Sequence, residues 1–183
     1  MAFFTGILIT FGFLALLALA RWSYWYFFQY RFVEVVKGRL YRSQAMPPDV
    51  LVKTIRRHGV DTVIDLRRPA NAAEAIEAEQ RAVEGTGARY INSPSNQVST
   101  AESIEAFLEA VEQSGPGRIL IHCRDGRGRA VFYGAIYLIE FEGLTPDQAR
   151  RKCRLVASRG TFSPGGAKGR ALLDYIPRSV QPT

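Results

Sequence analysis

The sequence predicts one α/β domain, built on a central, mainly parallel sheet with helices on both faces and preceded by one transmembrane helix. Short runs that are apolar at every position alternate with longer stretches of helical periodicity, as in parallel sheets buried on both faces. The chain has 183 residues, enough for one domain with a proper core and no second one. Its first stretch, residues 1–20, is apolar throughout.

The elements follow from these patterns in chain order. Strands are predicted at Val63–Leu66 and Ile119–His122, with a weaker one at Arg89–Ile91. Helical periodicity predicts six helices, at Val50–His58, Ala72–Glu84, Ala101–Gln113, Ala130–Glu142, Pro146–Ala157 and Lys168–Ile176. Start signals for three of them stand at Thr100, Thr145-Pro146 and Ser163-Pro164.

Residues 1–30 are predicted to be a membrane anchor. No side chain from Met1 to Ala20 is charged, and as a helix this stretch would extend about 30 Å, enough to span a bilayer. An aromatic belt follows from Trp22 to Phe28, where the chain would meet the lipid head groups. Basic residues gather on the carboxyl side, which by the positive-inside rule makes the protein single-pass with residues 31–183 in the cytoplasm.

A cleaved signal peptide is the alternative for this segment. Ala18-Leu19-Ala20 is similar to a cleavage site. The segment lacks a basic n-region, however, and its apolar stretch is longer than a usual signal-peptide core, which favours a retained anchor.

The composition indicates an anionic partner. The net charge is +7 and the pI is near 9.7. With an anchor present, the cytoplasmic leaflet is a better candidate than nucleic acid, and no nucleic-acid, nucleotide or zinc motif is found. The two cysteines, Cys123 and Cys153, suit a reducing compartment, since a disulfide between them would remove a reactive thiol.

The most informative segment runs from His122 to Arg129, and it is interpreted as a phosphate-binding loop with a nucleophile at its base. A strand delivers Cys123 into a turn containing Gly126 and Gly128, and a helix opens after it, so backbone N–H groups converge where an anion can bind. The helix N-terminus favours the thiolate of Cys123. Arg129 would return over the anion and bind two of its oxygens. The alternative is a buried structural cysteine in a basic turn.

This segment resembles the signature loop of the cysteine-dependent protein tyrosine and dual-specificity phosphatase superfamily, His-Cys-x-x-Gly-x-x-Arg. The four fixed positions are matched by His122, Cys123, Gly126 and Arg129. The resemblance implies a phosphocysteine intermediate on Cys123, phosphate binding by the loop and Arg129, a loop-supporting role for His122, and no metal or cofactor.

The resemblance extends to residues 38–44 and 59–67, which are similar to the opening of the atypical dual-specificity branch common in bacteria, fungi and plants. It therefore covers about Gly38 to Ile176 and implies a dual-specificity phosphatase-like fold. Four side chains in these stretches either shape the pocket wall or belong to a buried, salt-bridged turn, and both interpretations stay open. These side chains are Tyr41, Arg42, Ser43 and Arg67. The spacing does not decide whether Lys168 borders the pocket.

Two positions depart from the family pattern. Ala130 stands where the family usually has Ser or Thr, whose hydroxyl assists release of the thiolate, so slower breakdown of the phosphoenzyme is expected. The stretch Ile91–Asn96 stands where the family has the aspartate that acts as general acid and protonates the leaving oxygen, and this stretch contains no carboxylate. Asp125, inside the loop, is the nearest substitute and is similar to the in-loop aspartate of myotubularin lipid phosphatases. The hypothesis is that Asp125 acts as the acid or tunes the loop charge.

Arg124 and Arg127 indicate the substrate class, because both positions are usually basic in phosphatases of phosphoinositides and phosphatidylglycerophosphate. A highly anionic head group needs more positive charge than phosphotyrosine does; the alternative is a pair of solvated arginines. The expectation is a membrane-anchored phosphatase acting on a phospholipid head group, with all loop residues from Arg124 to Arg129 binding phosphate. The alternatives are a protein tyrosine or dual-specificity phosphatase acting on a phosphoprotein, and a phosphate-binding pseudophosphatase or membrane scaffold.

Overall fold

The computed structural model describes residues 2–27, 29–97, 99–153 and 161–180. Its centre is a five-stranded sheet with the strand order β1-β2-β5-β3-β4. The strands are β1 (Val33–Val36), β2 (Leu40–Gln44), β3 (Thr62–Asp65), β4 (Arg89–Asn92) and β5 (Ile119–Cys123). Only the edge pair β1/β2 is antiparallel, and the other pairs are parallel. The predicted α/β class with a mainly parallel sheet is confirmed.

Helices cover both faces of this sheet. They are α2 (Pro48–His58), α3 (Ala73–Glu84), α4 (Ala101–Gln113), α5 (Arg129–Glu140), α6 (Pro146–Cys153) and α7 (Ala167–Leu173), and one further helix, α1 (Ala2–Phe27), precedes the sheet in the chain. Two short 3-10 turns lie at Pro69–Asn71 and Arg178–Val180. Helices α4, α5, α6 and α7 contribute to the core on one face of the sheet, while α2 and α3 contribute to the core on the other.

The two cores are separated by the alternation of side chains along the strands. Ile119 and Ile121 of β5 pack with α5, whereas Leu120 between them packs on the opposite face with α2. All three are fully buried. This explains why three consecutive positions of the strand, Ile119 to Ile121, are apolar.

The hairpin of β1 and β2 was not predicted, because its strands do not have the apolar runs that marked the others. β2 carries Arg42 and Ser43, and both polar side chains are buried. β2 nevertheless lies directly beside β5, with Gln44 opposite Cys123. The hairpin therefore supports the strand that leads into the candidate loop.

The predicted helices exist, with changes at their ends. The capping box at Thr100 is confirmed, since Oγ1 of Thr100 accepts from the Ser103 amide and the Ser103 hydroxyl accepts from the Thr100 amide. The helix start at Ser163 is wrong: the Ser163 carbonyl accepts from Gly166 in a turn, and α7 begins only at Ala167. The end of the helix predicted over Pro146–Ala157 lies outside the described residues.

Helix α7 is held against the preceding turn by close backbone contact. A Cβ at Gly169 would lie 1.8 Å from the carbonyl oxygen of Ser163, so only glycine is compatible with this approach. The Gly169 amide donates to Thr161, and buried Arg150 donates to the carbonyl of Phe162. These contacts fix the position of Lys168, the second residue of α7.

Within the described part of the chain, no helix combines the length and apolar character needed to cross a membrane. The predicted transmembrane helix is not supported, and it stays a prediction.

Candidate active site

The segment between β5 and α5 forms a tight loop around the sulfur of Cys123. Cys123 is the last residue of β5 and is only 3 % exposed. The backbone N–H of Gly126 donates to Sγ at 3.3 Å. Gly126 has a φ of +64°, and a Cβ there would lie 2.6 Å from the Gln44 nitrogen, so the position requires glycine. One backbone N–H of the loop is therefore directed at the sulfur of Cys123.

Helix α5 starts directly behind this loop. Gly128 is its N-cap and Arg129 its first residue, so the positive end of the helix is directed at the loop. Ala130, the second residue, is fully buried. Its methyl group offers no hydroxyl where the family usually has one.

Arg129 lies across the loop and joins it to the ends of two other strands. Its Nη1 atom donates to the carbonyl of Leu66, which follows β3, and to that of Ser95, which follows β4, at 3.1 Å. The guanidinium is thus held at the carboxyl edge of the sheet by backbone contacts. A guanidinium fixed in this way is oriented before any anion binds.

A cavity of about 770 Å³ opens beside Arg129. Four of its lining residues are arginines, and none carries a carboxylate. They are Arg67, Arg68, Arg124 and Arg129. Asn96 and Gln97 also line it, from the stretch where the family usually has its acidic loop. The cavity therefore has the charge of a site for anionic ligands.

The two other basic loop positions differ in location. Arg124 is 77 % exposed at its side chain and lines the cavity. Arg127 is also exposed but is not among the cavity residues. Asp125 is half-exposed and lies 3.3 Å from Nε of Arg124, so its carboxylate faces that arginine.

Lys168 approaches the loop from α7. A Cβ at Gly128 would lie 2.5 Å from its Nζ, so this glycine makes room for the ammonium group. The side chain is largely buried. Burial lowers the pKa of Lys168, Cys123 opposes this, and Arg129 adds to the lowering. Lys168 thus supplies a further cation at the loop, which spacing in the sequence could not establish.

Asn92 has a structural position in this edge of the sheet. Its side-chain amide donates to the carbonyls of Asp65 at 3.0 Å and Arg67 at 2.9 Å. An amide engaged as a donor to two backbone groups holds the end of β3 against β4. Asn92 lies in the stretch where the family usually has its general acid, but here its side chain holds two backbone carbonyls.

Behind the loop, four charged side chains form a buried cluster. Nε2 of His122 lies 2.6 Å from Glu79, and Nδ1 lies 3.8 Å from Asp65. Arg67 bridges both carboxylates, with Nη2 at 2.7 Å from each. The Tyr90 hydroxyl donates to Asp65 at 2.6 Å. His122 therefore lies between two carboxylates at the base of the loop. Arg67 both pairs in the cluster and lines the cavity.

The ionisable groups of this cluster shift one another's pKa towards the charged forms. Burial favours neutral His122, but the two carboxylates outweigh it and raise the pKa of the imidazole. Burial likewise favours neutral Asp65, but His122 and then Arg67 lower its pKa. Asp65, Glu79 and His122 are close enough to hold a metal ion, but Nη2 of Arg67 lies 2.7 Å from both carboxylates and pairs with them. The cluster fits an ion-pair network better than a metal site.

Cys153 lies beneath the loop on α6 and is buried. Burial raises the pKa of its thiol to about 11, an effect that Arg42 partly opposes. The thiol is thus protonated at neutral pH, and Cys153 is part of the hydrophobic core.

These features agree with a comparison against known families. The model of the PTP-SAK family, the DSP-PTPase phosphatase domain of Swiss Army Knife proteins, matches residues 31–171. The chain belongs to the PTP-SAK family. It is accordingly a cysteine-dependent phosphatase of the dual-specificity type, as the loop predicted.

Solved structures share the PTP-SAK fold at low sequence identity. A DUF442 protein of Shewanella putrefaciens CN-32 is 23 % identical with a TM-score of 0.60, over 78 % of this chain and 85 % of that one. TpbA of P. aeruginosa is 18 % identical with a TM-score of 0.56, over 76 % and 82 %. The catalytic core of SIW14, a PP-IP phosphatase of S. cerevisiae, is 16 % identical with a TM-score of 0.58, over 79 % and 85 %. Comparison with curated proteins gives no match.

The buried imidazole predicts a pH dependence of stability. Because the folded-state pKa of His122 is raised, its contribution is fully present below about pH 6.5 and is lost as the pH rises through the higher folded-state value. We expect the thermal midpoint to fall over that range and His122→Gln to reduce the fall, measured by thermal unfolding at closely spaced pH values.

The other histidine provides the control. Burial and then Arg57 lower the pKa of His58, so its contribution is lost as the pH falls rather than as it rises. His58→Gln should therefore keep the alkaline decline. An unchanged decline in His122→Gln would contradict the assignment.

Proposed function

We propose that this PTP-SAK phosphatase uses Cys123 as the nucleophile and Arg129 as the phosphate clamp. The Cys123 thiolate attacks phosphorus, the bond between phosphorus and the leaving oxygen breaks, and a cysteinyl phosphate forms. Water then breaks the S–P bond and releases phosphate. The observation that supports this most directly is the Gly126 N–H on Sγ at 3.3 Å, at the N-terminus of α5.

The loop amides and Arg129 stabilise the transferring phosphoryl group. Its negative charge is spread over equatorial oxygens, and preoriented donors lower the barrier without reorganising during the reaction. Arg129 is preoriented by its contacts with Leu66 and Ser95. Lys168 adds positive charge from the side of Gly128.

A phospholipid head group is the favoured substrate. The cavity is lined by four arginines and no carboxylate, and the chain carries a net charge of +7. Arg68 has no ion pair among the described residues, so its charge is available to a ligand. A phosphoinositide or phosphatidylglycerophosphate offers a second anionic group for these cations. SIW14, which shares the fold, is a PP-IP phosphatase.

Phosphotyrosine in a protein is the second candidate. TpbA, which shares the fold, has been solved as a variant in complex with phosphotyrosine. A cavity of about 770 Å³ also has room for an aromatic ring beside the loop.

We also propose that α1 anchors the chain in a membrane with the catalytic domain on the cytoplasmic side. The helix has 26 residues, and large apolar side chains on it are exposed, including Phe11, Phe13, Leu14 and Leu16. Basic residues are concentrated after it. Such exposed apolar surface is unfavourable in water but suits lipid.

Alkaline carbonate extraction of membranes tests the anchor. We expect the full chain to stay in the membrane pellet, because an inserted helix is not released by loss of ionic contacts. Leu14→Arg/Leu17→Arg should move it to the supernatant, since two charges in the apolar stretch oppose insertion. Release of the unaltered chain would contradict anchoring.

Asp125 is the proposed general acid, or else a residue that tunes the charge of the loop. An acid matters most when the leaving oxygen is strongly basic. We expect Asp125→Asn to lower kcat on phenyl phosphate by about 100-fold, and to lower it much less on 4-nitrophenyl phosphate. Steady-state rates over a pH series measure both.

Two variants frame that experiment. Asp49→Asn alters an exposed carboxylate that pairs with Lys53 on α2, and it should leave the rates unchanged. Cys123→Ser gives the background rate. If the unaltered chain turns over no faster than this variant, Cys123 is not the nucleophile. Equal losses on both substrates in Asp125→Asn would favour charge tuning over proton transfer.

The substrate class is tested with lipid and peptide together. We expect Arg124→Gln to raise the KM for phosphatidylglycerophosphate in liposomes by about tenfold, with a smaller effect on a phosphotyrosyl peptide. Arg127→Gln should act more weakly, because Arg127 does not line the cavity. Phosphate release is the measurement. Arg151→Gln, at an exposed arginine paired with Asp147, is the control. Faster release from the peptide than from the lipid would favour the protein substrate.

A further inference from the structure

The orientation of the loop amides requires donors on the opposite side of the loop. In a trans peptide group the N–H and the C=O point in opposite directions. A loop that turns its N–H groups inward to an anion therefore turns the preceding carbonyls outward into the protein. A buried carbonyl is stable only with a hydrogen-bond donor.

The peptide group joining Asp125 to Gly126 shows both halves of this arrangement. Its N–H is the one that donates to Sγ of Cys123 at 3.3 Å. Its carbonyl accepts from Nη1 of Arg31. One arginine side chain, 94 residues away in the sequence, thus fixes the peptide that contacts the sulfur.

The neighbouring carbonyls are also held from behind. The Cys123 carbonyl accepts from the Ala45 amide at 2.8 Å. The Gly126 carbonyl faces Nη1 of Arg42 at 3.5 Å, and the N–H of that same peptide group belongs to Arg127. Arg31 and Arg42 therefore contact two consecutive peptide groups of the loop.

Both arginines are buried, with exposed fractions of 8 % for Arg31 and 3 % for Arg42. No carboxylate among the described residues pairs with Arg42. A buried cation without an anion is costly. Burial lowers the pKa of Arg42, whereas Cys153 and Cys123 raise it, so a negative charge at the loop stabilises the guanidinium.

We infer that Arg31 and Arg42 are positioning residues, which hold two peptide groups of the phosphate loop with their N–H groups directed at the sulfur and the phosphate. They act through the backbone rather than by touching the substrate. Hydrogen bonding of a carbonyl to a cation also polarises its peptide group and strengthens the N–H as a donor.

The backbone around Arg31 supports a specific placement. Tyr30 and Arg31 both have positive φ angles, 50° and 51°, which are unfavourable for residues other than glycine. The Gln44 amide donates to the Tyr30 carbonyl at 2.9 Å and so holds this segment beside β2. A conformation that costs energy is retained where it delivers Arg31 to the loop.

The experiment measures the thiol and the anion site separately. Alkylation of Cys123 by iodoacetamide is followed by mass spectrometry across a pH series, and vanadate inhibition of aryl phosphate turnover is measured in parallel. Each variant changes one residue and leaves the other charged groups around the sulfur unaltered. These groups are Arg42 of β2, Arg129 of α5 and Lys168 of α7. Cys153, whose thiol pKa is about 11, stays unreactive below pH 9.

In the full chain, we expect Arg31→Met to raise the pH of half-maximal alkylation by about one unit and the vanadate inhibition constant about tenfold. Arg42→Met should shift both in the same direction. Arg31→Lys should recover part of each, because an ammonium keeps the charge but reaches the carbonyl less well.

Arg39→Met is the matched control, because Arg39 donates to the Gly115 carbonyl at 2.7 Å, at the other end of β2. It should alter neither readout even if it lowers the thermal midpoint.

If both Met variants show the alkylation profile and the vanadate inhibition of the unaltered chain, the inference is overturned. The arginines would then have a purely structural role. If a Met variant does not fold, its Lys variant is judged by the same criterion. The inference rests on Cys123 as the proposed nucleophile, but alkylation needs no turnover. Shifted alkylation without turnover would therefore reject the proposed function and keep the positioning role.

Discussion

A group of four buried charges at the carboxyl ends of β3 and β5 determines how the rest of the site is built. Asp65, Arg67, Glu79 and His122 lie within ion-pair distance of one another, two acidic side chains beside two basic ones. Removing one partner would leave an uncompensated buried charge, which typically costs about 3–5 kcal/mol. Because Cys123 directly follows His122, the cluster holds the residue next to Cys123 at the base of the loop.

Three chain segments then meet at this edge of the sheet. The turn after β3 supplies Leu66 and Arg67, the stretch after β4 supplies Ser95, and α7 brings Lys168. Arg129 contacts the first two through backbone carbonyls. The cationic cavity beside the loop is thus a product of packing between distant segments, whereas the loop itself is local.

That difference decides how much could be predicted from the sequence. The loop lies in one stretch of eight residues, from His122 to Arg129, and its spacing alone indicated a phosphate site. Strand β5 was predictable because it is buried on both faces. The charge cluster was not, since Asp65, Glu79 and His122 are far apart in the sequence and each is ordinary by itself. Strand β2 was not predicted, because buried Arg42 and Ser43 interrupt its apolar pattern.

Arg31 lies between the N-terminal helix and the catalytic domain, so its contact with the loop depends on where the chain is cut. Arg31 comes four residues after the end of α1 and donates to the Asp125 carbonyl. A protease cutting between Arg31 and Phe32 would free residues 32–183 and in the same event remove that donor from the loop. The released domain would keep Cys123 and Arg129 but lose one of the two donors that position the loop, so its thiolate and its anion binding would be weakened rather than abolished.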